Sequence, residues 1–529
     1  MGERERSSIS SRLQALGGLR EGRSREIAAA TGVPEAHVYG VGSFYDLLAR
    51  PDAAIRVCSG LSCRLKGADA LIEAARAAGM PVESSSCLAA CDRPPALLHR
   101  RRVLPAVTVE DVERAGGDWR ALADDDRPAW QGRVGPESAA ADSLAFDLLS
   151  PAEDPGAACE TADRIGPEAV IAELEAAGLQ GRGGAGFPAH VKWRAVREQS
   201  ESKRSVVLNA DESEPGTFKD RELLLRRPDR VLEGLAIAAR CVGADQIFLY
   251  LRGEFGDPRR ALEHAIAGLA TKAAFAGLDF QLHSGDGAYI CGEETALLEA
   301  LEGKRGMPRL RPPFPVERGL WGRPTLIHNV ETIAAVPAIV QRGGRWFREL
   351  GRTGPGTKLY CVSGHVERPG TYELPLGVSL DELVETAGGY LGELKAFSPG
   401  GASSGFLPAR ERGRPLDFEA LAEVGSMLGS AGVVVLNSEV DMRWAAAQQL
   451  RFFEDESCGQ CAPCRIGTRY LREALDRHIA GTSEAGGASL AHTADVAWQM
   501  NEGSICGLGQ TAPLPLTSAL AHFPEDFGV

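Results

Sequence analysis

Three cysteines near the carboxyl end of the chain constrain its fold more than any other feature. Cys458, Cys461 and Cys464 form the pattern C-x2-C-x2-C, and Cys506 follows after a longer interval. Three thiolates this close together suit three irons on one face of a cubane iron–sulfur cluster, with the remote cysteine binding the fourth iron. A zinc site more often pairs two separated C-x2-C knuckles, so zinc and a purely structural role are the alternatives. The last part of the chain is helical in pattern, and we expect its helices to fold around these four cysteines.

Two further pairs of cysteines lie near the amino end. Cys58 and Cys63 form C-x4-C, Cys87 and Cys91 form C-x3-C, and each pair lies in a loop after an apolar strand. Two pairs from two loops suit a two-iron two-sulfur cluster, with one pair on each iron. Zinc is again the alternative. The other cysteines are expected to be small buried residues, namely Cys159, Cys241, Cys291 and Cys361.

The charge and hydropathy of the chain exclude two classes of partner. Its 529 residues carry a formal net charge of −14, whereas nucleic-acid binding depends on Lys and Arg at phosphates, so no nucleic-acid partner is expected. No stretch approaches the roughly 20 apolar residues of a membrane span, and no secretory signal is visible. We therefore expect a cytoplasmic protein without membrane insertion. Its twelve cysteines are then more readily metal or redox ligands than disulfides, and the two clusters use eight of them.

Changes in composition and periodicity divide the chain into six parts, since a chain of this length exceeds a single core. We expect an N-terminal helical segment over 1–50, a small α/β unit over 51–120, a linker over 121–165, a larger α/β unit over 166–350, a small mixed β unit over 355–440 and a helical unit over 441–529.

The segment GRGGAGFP matches the dinucleotide-binding pattern G-x-G-x-x-G through Gly181, Gly183 and Gly186. A Rossmann loop requires a strand directly before these glycines. The preceding sequence is instead helical in pattern and has Pro167 at a first helical position. Two interpretations stay open from the motif alone, a plain surface loop and a phosphate-binding loop of another type.

Polar residues follow the apolar strand RSVVLNA, at the edge where open α/β sheets bind ligands. They are Asn209, Asp211, Glu212 and Glu214. A later glycine loop is followed by Glu293 and Glu294, which suit either a cofactor site or the first turn of a helix. Nearby positive charges suit phosphate groups or a solvated helix end: Lys304, Arg305, Arg309 and Arg311. Together these features predict a basic, glycine-rich cleft between two electron carriers.

Seven segments of the larger part of the chain have the sequences GRGGAGFP, LNADESEPGTFKD, YLRGE, GAYICGEETALLEALEGKRGMPR, PPFP, NVET and ESCGQCAPCRIGT. In these segments the chain resembles the NADH-oxidising flavoprotein subunit of respiratory complex I and its relatives. Residues 1–115, with VGSFYDLL, VCSGLSC and CLAAC, resemble the small thioredoxin-like iron–sulfur subunit that accompanies it. The resemblance implies a multidomain α/β fold, with N-terminal helices and a thioredoxin-like iron–sulfur domain, a Rossmann-like FMN domain, a β-grasp (ubiquitin-like) domain and a C-terminal helical bundle.

The same resemblance implies FMN, NAD, one 2Fe-2S cluster and one 4Fe-4S cluster as cofactors. By motif, the residues that would contact FMN are Gly181, Arg182, Gly183, Gly184, Lys192, Asn209, Asp211, Glu212, Tyr289, Gly292, Glu293, Glu294 and Asn329. Those that would contact NADH are Phe187, Glu214, Arg311 and Phe314, with the two aromatics flanking the adenine. Glu294 is also the candidate catalytic residue. The chain departs from the family at His328, where Asn is usual, and at Arg311, where Lys is common.

Fusion of both parts in one chain is similar to the diaphorase subunits of soluble NAD-dependent formate dehydrogenases and NAD-reducing hydrogenases. The length and ending of the chain look most like the formate dehydrogenase beta subunit. The resemblance thus implies a hetero-oligomer with a molybdenum or tungsten catalytic alpha subunit, and a small iron–sulfur gamma subunit as a further candidate partner. The alternatives are the diaphorase of an NAD-reducing hydrogenase, a fused complex I-type subunit, and a relay without nucleotide chemistry.

Overall fold

The computed structural model describes residues 8–53, 55–116, 133–135, 148–149, 155–482 and 487–528. Most of the predicted linker over 121–165 lies outside these residues, but its end forms the helix Ala157–Ile165. Within the described ranges, no helix is both long and apolar enough to cross a membrane.

The N-terminal part is a helical segment followed by a small four-stranded sheet. Its helices are Ser8–Ala15, Arg23–Thr31, Glu35–Gly42, Asp46–Ala49, Leu61–Leu65, Ala68–Ala77 and Val109–Ala115. The strands β1 (Ile55–Cys58), β2 (Val82–Ser85), β3 (Leu97–His99) and β4 (Arg102–Leu104) lie in the order β2-β1-β3-β4. Only β1 and β2 are parallel. Cys87 and Cys91 lie in the loop after β2, as predicted, whereas Cys58 is the last residue of β1 and Cys63 lies in the helix Leu61–Leu65 rather than in a loop. A two-residue strand, β5 (Val134–Gly135), joins a later sheet.

The middle of the chain forms a parallel sheet covered by helices. Its strands β6 (Ser205–Ala210), β7 (Gln246–Leu251), β8 (Asp279–Ser284) and β9 (Thr325–Asn329) lie in the order β8-β7-β6-β9. The surrounding helices are Pro167–Ala177, Ala189–Arg197, Lys219–Arg226, Pro228–Val242, Gly256–Leu269, Glu294–Leu301, Pro315–Arg318, Val330–Arg342 and Gly344–Arg348. All strand pairs are parallel, so their carboxyl ends meet at one edge.

The third sheet is mixed, with the order β13-β12-β14-β10-β11-β5. Its remaining strands are β10 (Thr357–Gly364), β11 (Gly370–Pro375), β12 (Leu394–Ser398), β13 (Leu407–Pro408) and β14 (Gly432–Asn437). The hairpin β10–β11 is followed by the helix Leu380–Thr386, and β10 pairs in parallel with β14. This arrangement agrees with the predicted β-grasp fold. A short helix, Phe418–Ala422, precedes β14.

The C-terminal part is helical, as predicted. Its helices are Met442–Glu456, Ala462–Ile479, Thr493–Gly503, Gly507–Thr511, Leu514–His522 and Pro524–Phe527. The parts of the chain share buried cores. Cys87 and Cys91 are buried together with residues of the parallel sheet, and the N-terminal helices share a core with Cys464 and Cys506. Both cysteine groups are therefore held against the middle of the chain.

Candidate nucleotide cavity and cysteine clusters

A cavity of about 640 Å³ opens at the carboxyl edge of the parallel sheet, within the size range of small-molecule sites. Twelve of the predicted FMN- and NADH-contacting residues line it, namely Gly181, Gly183, Gly184, Phe187, Lys192, Asn209, Gly292, Glu293, Glu294, Arg311, Phe314 and Asn329. Phe187 and Phe314 are both about half exposed at this cavity. The structure thus brings together glycine loops, aromatic rings and charged side chains that are far apart in sequence.

The loop over 181–188 lies between two helices rather than between a strand and a helix. Its ends are joined by a hydrogen bond from the Gly181 amide to the Phe187 carbonyl, at 2.8 Å. A Cβ atom at Gly183 would lie 2.9 Å from the Asn329 Cβ, whereas one at Gly184 would meet nothing within 4 Å. The loop therefore packs closely on the sheet edge and leaves room for a ligand against its backbone, which suits phosphate-bearing groups.

Two asparagines meet at the sheet edge because β6 and β9 pair in register, with Asn209 opposite Asn329. Asn209 Nδ2 donates to the Gly292 carbonyl at 2.8 Å, which ties the two glycine-containing segments together. Asn329 Oδ1 accepts from the Glu331 amide at 3.0 Å and caps the helix Val330–Arg342. These bonds fix the floor of the cavity.

Charged side chains of both signs face one another across the cavity. Lys192 Nζ lies 2.7 Å from Glu294 Oε2, and Arg311 Nη1 lies 3.5 Å from Glu294 Oε1. Glu293 has a different role, because its carboxylate accepts from the amides of Thr295 and Ala296 and caps the helix Glu294–Leu301. Glu294 is therefore the acidic group that is free to exchange its partners for a polar ligand.

Only one of the four basic residues noted beside these acids lines the cavity, namely Arg311. Lys304 and Arg309 are each paired with both Glu299 and Glu302, and Arg305 is exposed. Of the two alternatives for these charges, phosphate binding stays open for Arg311, whereas local carboxylates already neutralise Lys304 and Arg309.

His328, the departure from the family pattern, lines the cavity and is 6% exposed. Its Nε2 accepts a hydrogen bond from Trp193 Nε1 at 2.9 Å. Burial, with a smaller effect of Lys192, lowers the pKa of His328 to about 3. The ring is therefore neutral at physiological pH, and since Nε2 is the acceptor, Nδ1 carries the proton.

The other five predicted cofactor residues do not line this cavity: Arg182, Asp211, Glu212, Glu214 and Tyr289. The Tyr289 hydroxyl donates to Glu214 Oε2 at 2.6 Å, and the Ser403 amide donates to Glu214 Oε1 at 2.8 Å. Because Ser403 belongs to the mixed-sheet unit, its bond to Glu214 joins that unit to the parallel-sheet unit. Tyr289 lines a second, polar cavity of about 440 Å³ that Cys458 also lines.

Two of these residues have buried polar atoms without partners among the described residues, Arg182 Nη1 and Asp211 Oδ2. Burial raises the pKa of Asp211 to about 8. Glu212 instead caps the helix Lys219–Arg226, since its carboxylate accepts from the amides of Asp220 and Arg221. Asp211 Oδ2 lies 4.0 Å from where a Cβ atom at Gly292 would stand, so an unpaired polar atom beside the glycine segment fits a polar cofactor such as FMN.

The C-terminal cysteines lie at the starts of two helices. Cys461 directly precedes the helix Ala462–Ile479, Cys464 lies in its first turn, and Cys506 directly precedes Gly507–Thr511. Helix N-termini stabilise negative charge, which suits thiolates bound to iron. Burial raises the pKa of Cys464 to about 12, so iron must displace its proton.

The N-terminal cysteines are all buried and free, and they converge from two segments of the chain. The Sγ atoms of Cys87 and Cys91 are 3.4 Å apart, and Cys58 contacts both Cys63 and Cys87. Across the described residues, no three or more Cys, His, Asp or Glu side chains surround a single metal position. The thiols of the two pairs thus lie in contact with one another, which suits a cluster that both pairs bind.

Hydrogen bonds connect both cysteine groups to loops beside the cavity. Glu456, two residues before Cys458, accepts from the Tyr289 amide at 2.8 Å. Arg252 donates to the carbonyls of Cys87 and Glu212. Sequence reasoning missed Glu456 and Arg252, although the rule that selected Asn209 applies equally to Arg252, which follows β7 at the same sheet edge.

Comparison with family models defines the class of protein. Residues 174–338 match the Nuo51 FMN-binding domain, 444–529 the NADH-ubiquinone oxidoreductase-F iron–sulfur binding region, 359–407 the SLBB domain and 11–116 the thioredoxin-like [2Fe-2S] ferredoxin. The chain is thus an NADH-linked flavin and iron–sulfur oxidoreductase subunit, with FMN, NAD, a 2Fe-2S and a 4Fe-4S cluster as its cofactors, and the predicted multidomain α/β fold is confirmed.

The chain belongs to the family of NADH-quinone oxidoreductase F subunits. It is 46% identical over 373 residues to the second F subunit of NADH-quinone oxidoreductase from Rhizobium meliloti (strain 1021), covering 68% of this chain and 88% of that protein. It is 44% identical over 374 residues to the corresponding F subunit of Rickettsia typhi, with the same coverage.

Among solved structures, a chain of the NAD+-reducing [NiFe]-hydrogenase in the H2-reduced state is 34% identical, with a TM-score of 0.88. That match covers 98% of this chain and 92% of the hydrogenase chain. The similarity therefore includes the N-terminal and C-terminal cysteine groups in one continuous chain.

Proposed function

We propose that this chain is a diaphorase subunit that passes electrons between NAD(H), FMN in the main cavity and the two cysteine-bound clusters. The observation that carries the proposal is that hydrogen bonds connect loops beside the cavity to both cysteine groups. Glu456 bonds the C-terminal cysteine segment to the segment at Tyr289, and Arg252 bonds the N-terminal cysteine loop to the loop after β6. A nucleotide site joined to two electron carriers suits conversion between two-electron and one-electron transfer.

FMN, when bound, would exchange a hydride with the nicotinamide and single electrons with the clusters. The loop over 181–188 would hold phosphate groups with its backbone, while Phe187 and Phe314 would flank the adenine. Asn209 would keep the two glycine-containing segments at a fixed separation, through its bond to the Gly292 carbonyl. The neutral His328 would offer its Nδ1–H to a polar group in the cavity. No general acid or base is required of the chain, so its contribution is orientation and electrostatics.

Glu294 would exchange its present partners when a nucleotide binds, because nucleotide phosphates attract the same two cations, Lys192 and Arg311. We expect Glu294→Ala to lower kcat/KM for NADH-dependent dye reduction about tenfold or more, which is about 1.4 kcal/mol. The substitution removes the carboxylate that pairs with Lys192, while Arg311 keeps its longer contact with Glu293, at 3.8 Å. Glu294→Gln keeps the shape and is the matched control for charge. Unchanged turnover and KM in Glu294→Ala would contradict this role.

We further propose that the chain functions in a cytoplasmic hetero-oligomer, as the beta subunit of an NAD-dependent formate dehydrogenase with a molybdenum or tungsten alpha subunit. The presence of the FMN-binding region and both iron–sulfur regions in one chain supports this assignment. The second candidate is the corresponding subunit of an NAD-reducing hydrogenase, favoured by the nearly full-length similarity to a chain of that enzyme.

Metal analysis of the complex purified from its own host distinguishes these partners. Molybdenum or tungsten beside iron and flavin would support formate oxidation, and formate-dependent NAD+ reduction would then follow as the assay. Nickel would support the hydrogenase. Iron and flavin alone would indicate a diaphorase whose electron donor lies outside the complex. Intact clusters without FMN in natively purified protein would contradict the nucleotide chemistry itself and favour a relay.

A further inference from the structure

Arg252 is the side chain that joins the N-terminal cysteine loop to the loop at the cavity. It is 3% exposed and follows the end of β7. Each part of its guanidinium group has a separate partner. Nη2 donates to the Cys87 carbonyl at 2.8 Å, Nη1 to the Glu212 carbonyl at 2.6 Å, and Nε to Glu254 Oε2 at 3.1 Å. The guanidinium group is planar and has several donors in fixed directions, so one arginine can make all three contacts at once.

The guanidinium group and its counterion are both charged. Burial opposes the charge of Arg252, but Glu254 and nearby acids raise the pKa of Arg252 above its ordinary value. Burial likewise opposes ionisation of Glu254, and Arg252 keeps the pKa of that carboxyl below its usual range. A fixed cation therefore lies one hydrogen bond from the backbone of a cluster ligand, with its carboxylate partner on the other side.

We propose that Arg252 is a positioning residue that raises the reduction potential of the N-terminal cluster. It also holds the loop of Cys87 at a fixed position relative to the loop after β6. Reduction of a two-iron two-sulfur cluster adds one electron and hence one negative charge. A buried cation beside Cys87 stabilises that added charge, and Glu254 opposes it. The inference rests on the proposed ligation of this cluster by Cys58, Cys63, Cys87 and Cys91.

The two charges predict shifts of opposite sign. In Arg252→Met, we expect the ratio of reduced to oxidised N-terminal cluster at a fixed potential to fall about tenfold, which is about 59 mV for a one-electron couple. In Glu254→Gln, the same ratio should rise, because the cation loses its counterion. Arg252→Lys keeps the charge without the fork and should lie between Arg252→Met and the unmodified protein.

The test is a dithionite titration with redox mediators of the full chain, in which electron paramagnetic resonance follows both cluster signals. Arg309→Met is the matched control, since Arg309 is paired with Glu299 and Glu302 and not with a cysteine loop. The C-terminal cluster should keep its potential in every variant. A two-iron signal of full intensity at an unchanged potential in Arg252→Met would overturn the proposal.

Glu254→Gln keeps the proposal testable if Arg252→Met fails to assemble the cluster, because absence of a rise in that variant overturns it equally. Failure of the underlying ligation is distinguishable from failure of this inference. If the four N-terminal cysteines do not bind a two-iron cluster, the unmodified chain lacks the two-iron signal, whereas failure of the inference leaves that signal present and its potential insensitive to both charges.

Discussion

The two cysteine groups differ in their access to the surface. Cys58, Cys63 and Cys87 are each 1% exposed and Cys91 is 3% exposed, whereas Cys458 and Cys461 are half-buried. Cys464 and Cys506 are buried as well, so within the part of the chain that the structure describes it is the Cys458–Cys461 side of the C-terminal group that lies nearest the surface. Electron tunnelling to another protein requires such proximity, so the comparison favours the C-terminal cluster as the exit and the N-terminal cluster as an internal carrier.

The surroundings of the two groups differ in the same sense. The N-terminal loop is held by two buried arginines, with Arg252 bonded to the Cys87 carbonyl and Arg221 bonded to Asp92 at 3.0 Å. The C-terminal group lies at helix starts, and Ile466 in the first of these helices is 62% exposed. The N-terminal group is thus fixed by buried charges inside the chain, whereas Cys458 and Cys461 of the C-terminal group lie closer to the surface.

Removing one cysteine from each group gives the largest expected effect. In Cys461→Ser, electron transfer between NADH and the partner subunit should be abolished, because the exit cluster is lost, while flavin content is kept. In Cys87→Ser, that transfer should continue at a reduced rate. The measurement is NAD+ reduction by the intact complex, with iron content determined for each variant. Full loss in Cys87→Ser with an intact C-terminal cluster would break the comparison.

An oxidant should destroy the two clusters at different rates, because cysteine oxidation follows solvent access. We expect ferricyanide to destroy the C-terminal cluster several-fold faster than the N-terminal one. Electron paramagnetic resonance of samples re-reduced at successive times follows both signals in one preparation. The complex with its partner bound is the control, since a covered C-terminal group should lose this sensitivity. Equal rates in the isolated chain would contradict the assigned difference in access.

The candidate ligand groups can be proposed from the sequence alone because their chemistry is local. Spacing determines which thiols can share a cluster, and the helix after Pro167 already excludes a Rossmann loop at Gly181. The strands and the sheet edge at Asn209 follow from apolar runs and polar ends. The resemblance adds the cofactors and the division into domains, whose boundaries stay predictions.

The direction of individual side chains could not be predicted, because distant partners decide it. Glu214 points to Ser403 of the mixed-sheet unit rather than into the main cavity. Lys304 and Arg309 pair with Glu299 and Glu302 and do not line the main cavity, whereas Arg311 does. Periodicity and composition contain no information about such long-range pairs, so a residue at the right edge of a sheet need not face its cavity.

The smallest expected effect is on the pH dependence of folding stability, through the neutral His328 that lines the cavity. An unfolded chain binds a proton at this ring below its ordinary pKa of about 6.5, whereas the folded chain does so only near 3. Stability should therefore fall with pH below about 6.5, by about 2 kcal/mol between pH 6.5 and 5. Urea unfolding at several pH values should show this loss for the unmodified protein relative to His328→Gln, with the exposed His264→Gln as control. A difference between the unmodified protein and His328→Gln that is independent of pH would show that the ring binds a proton as readily in the folded chain as in the unfolded one. The cavity would then share the partial solvent access of Cys458 and Cys461 rather than the burial of the N-terminal cysteines.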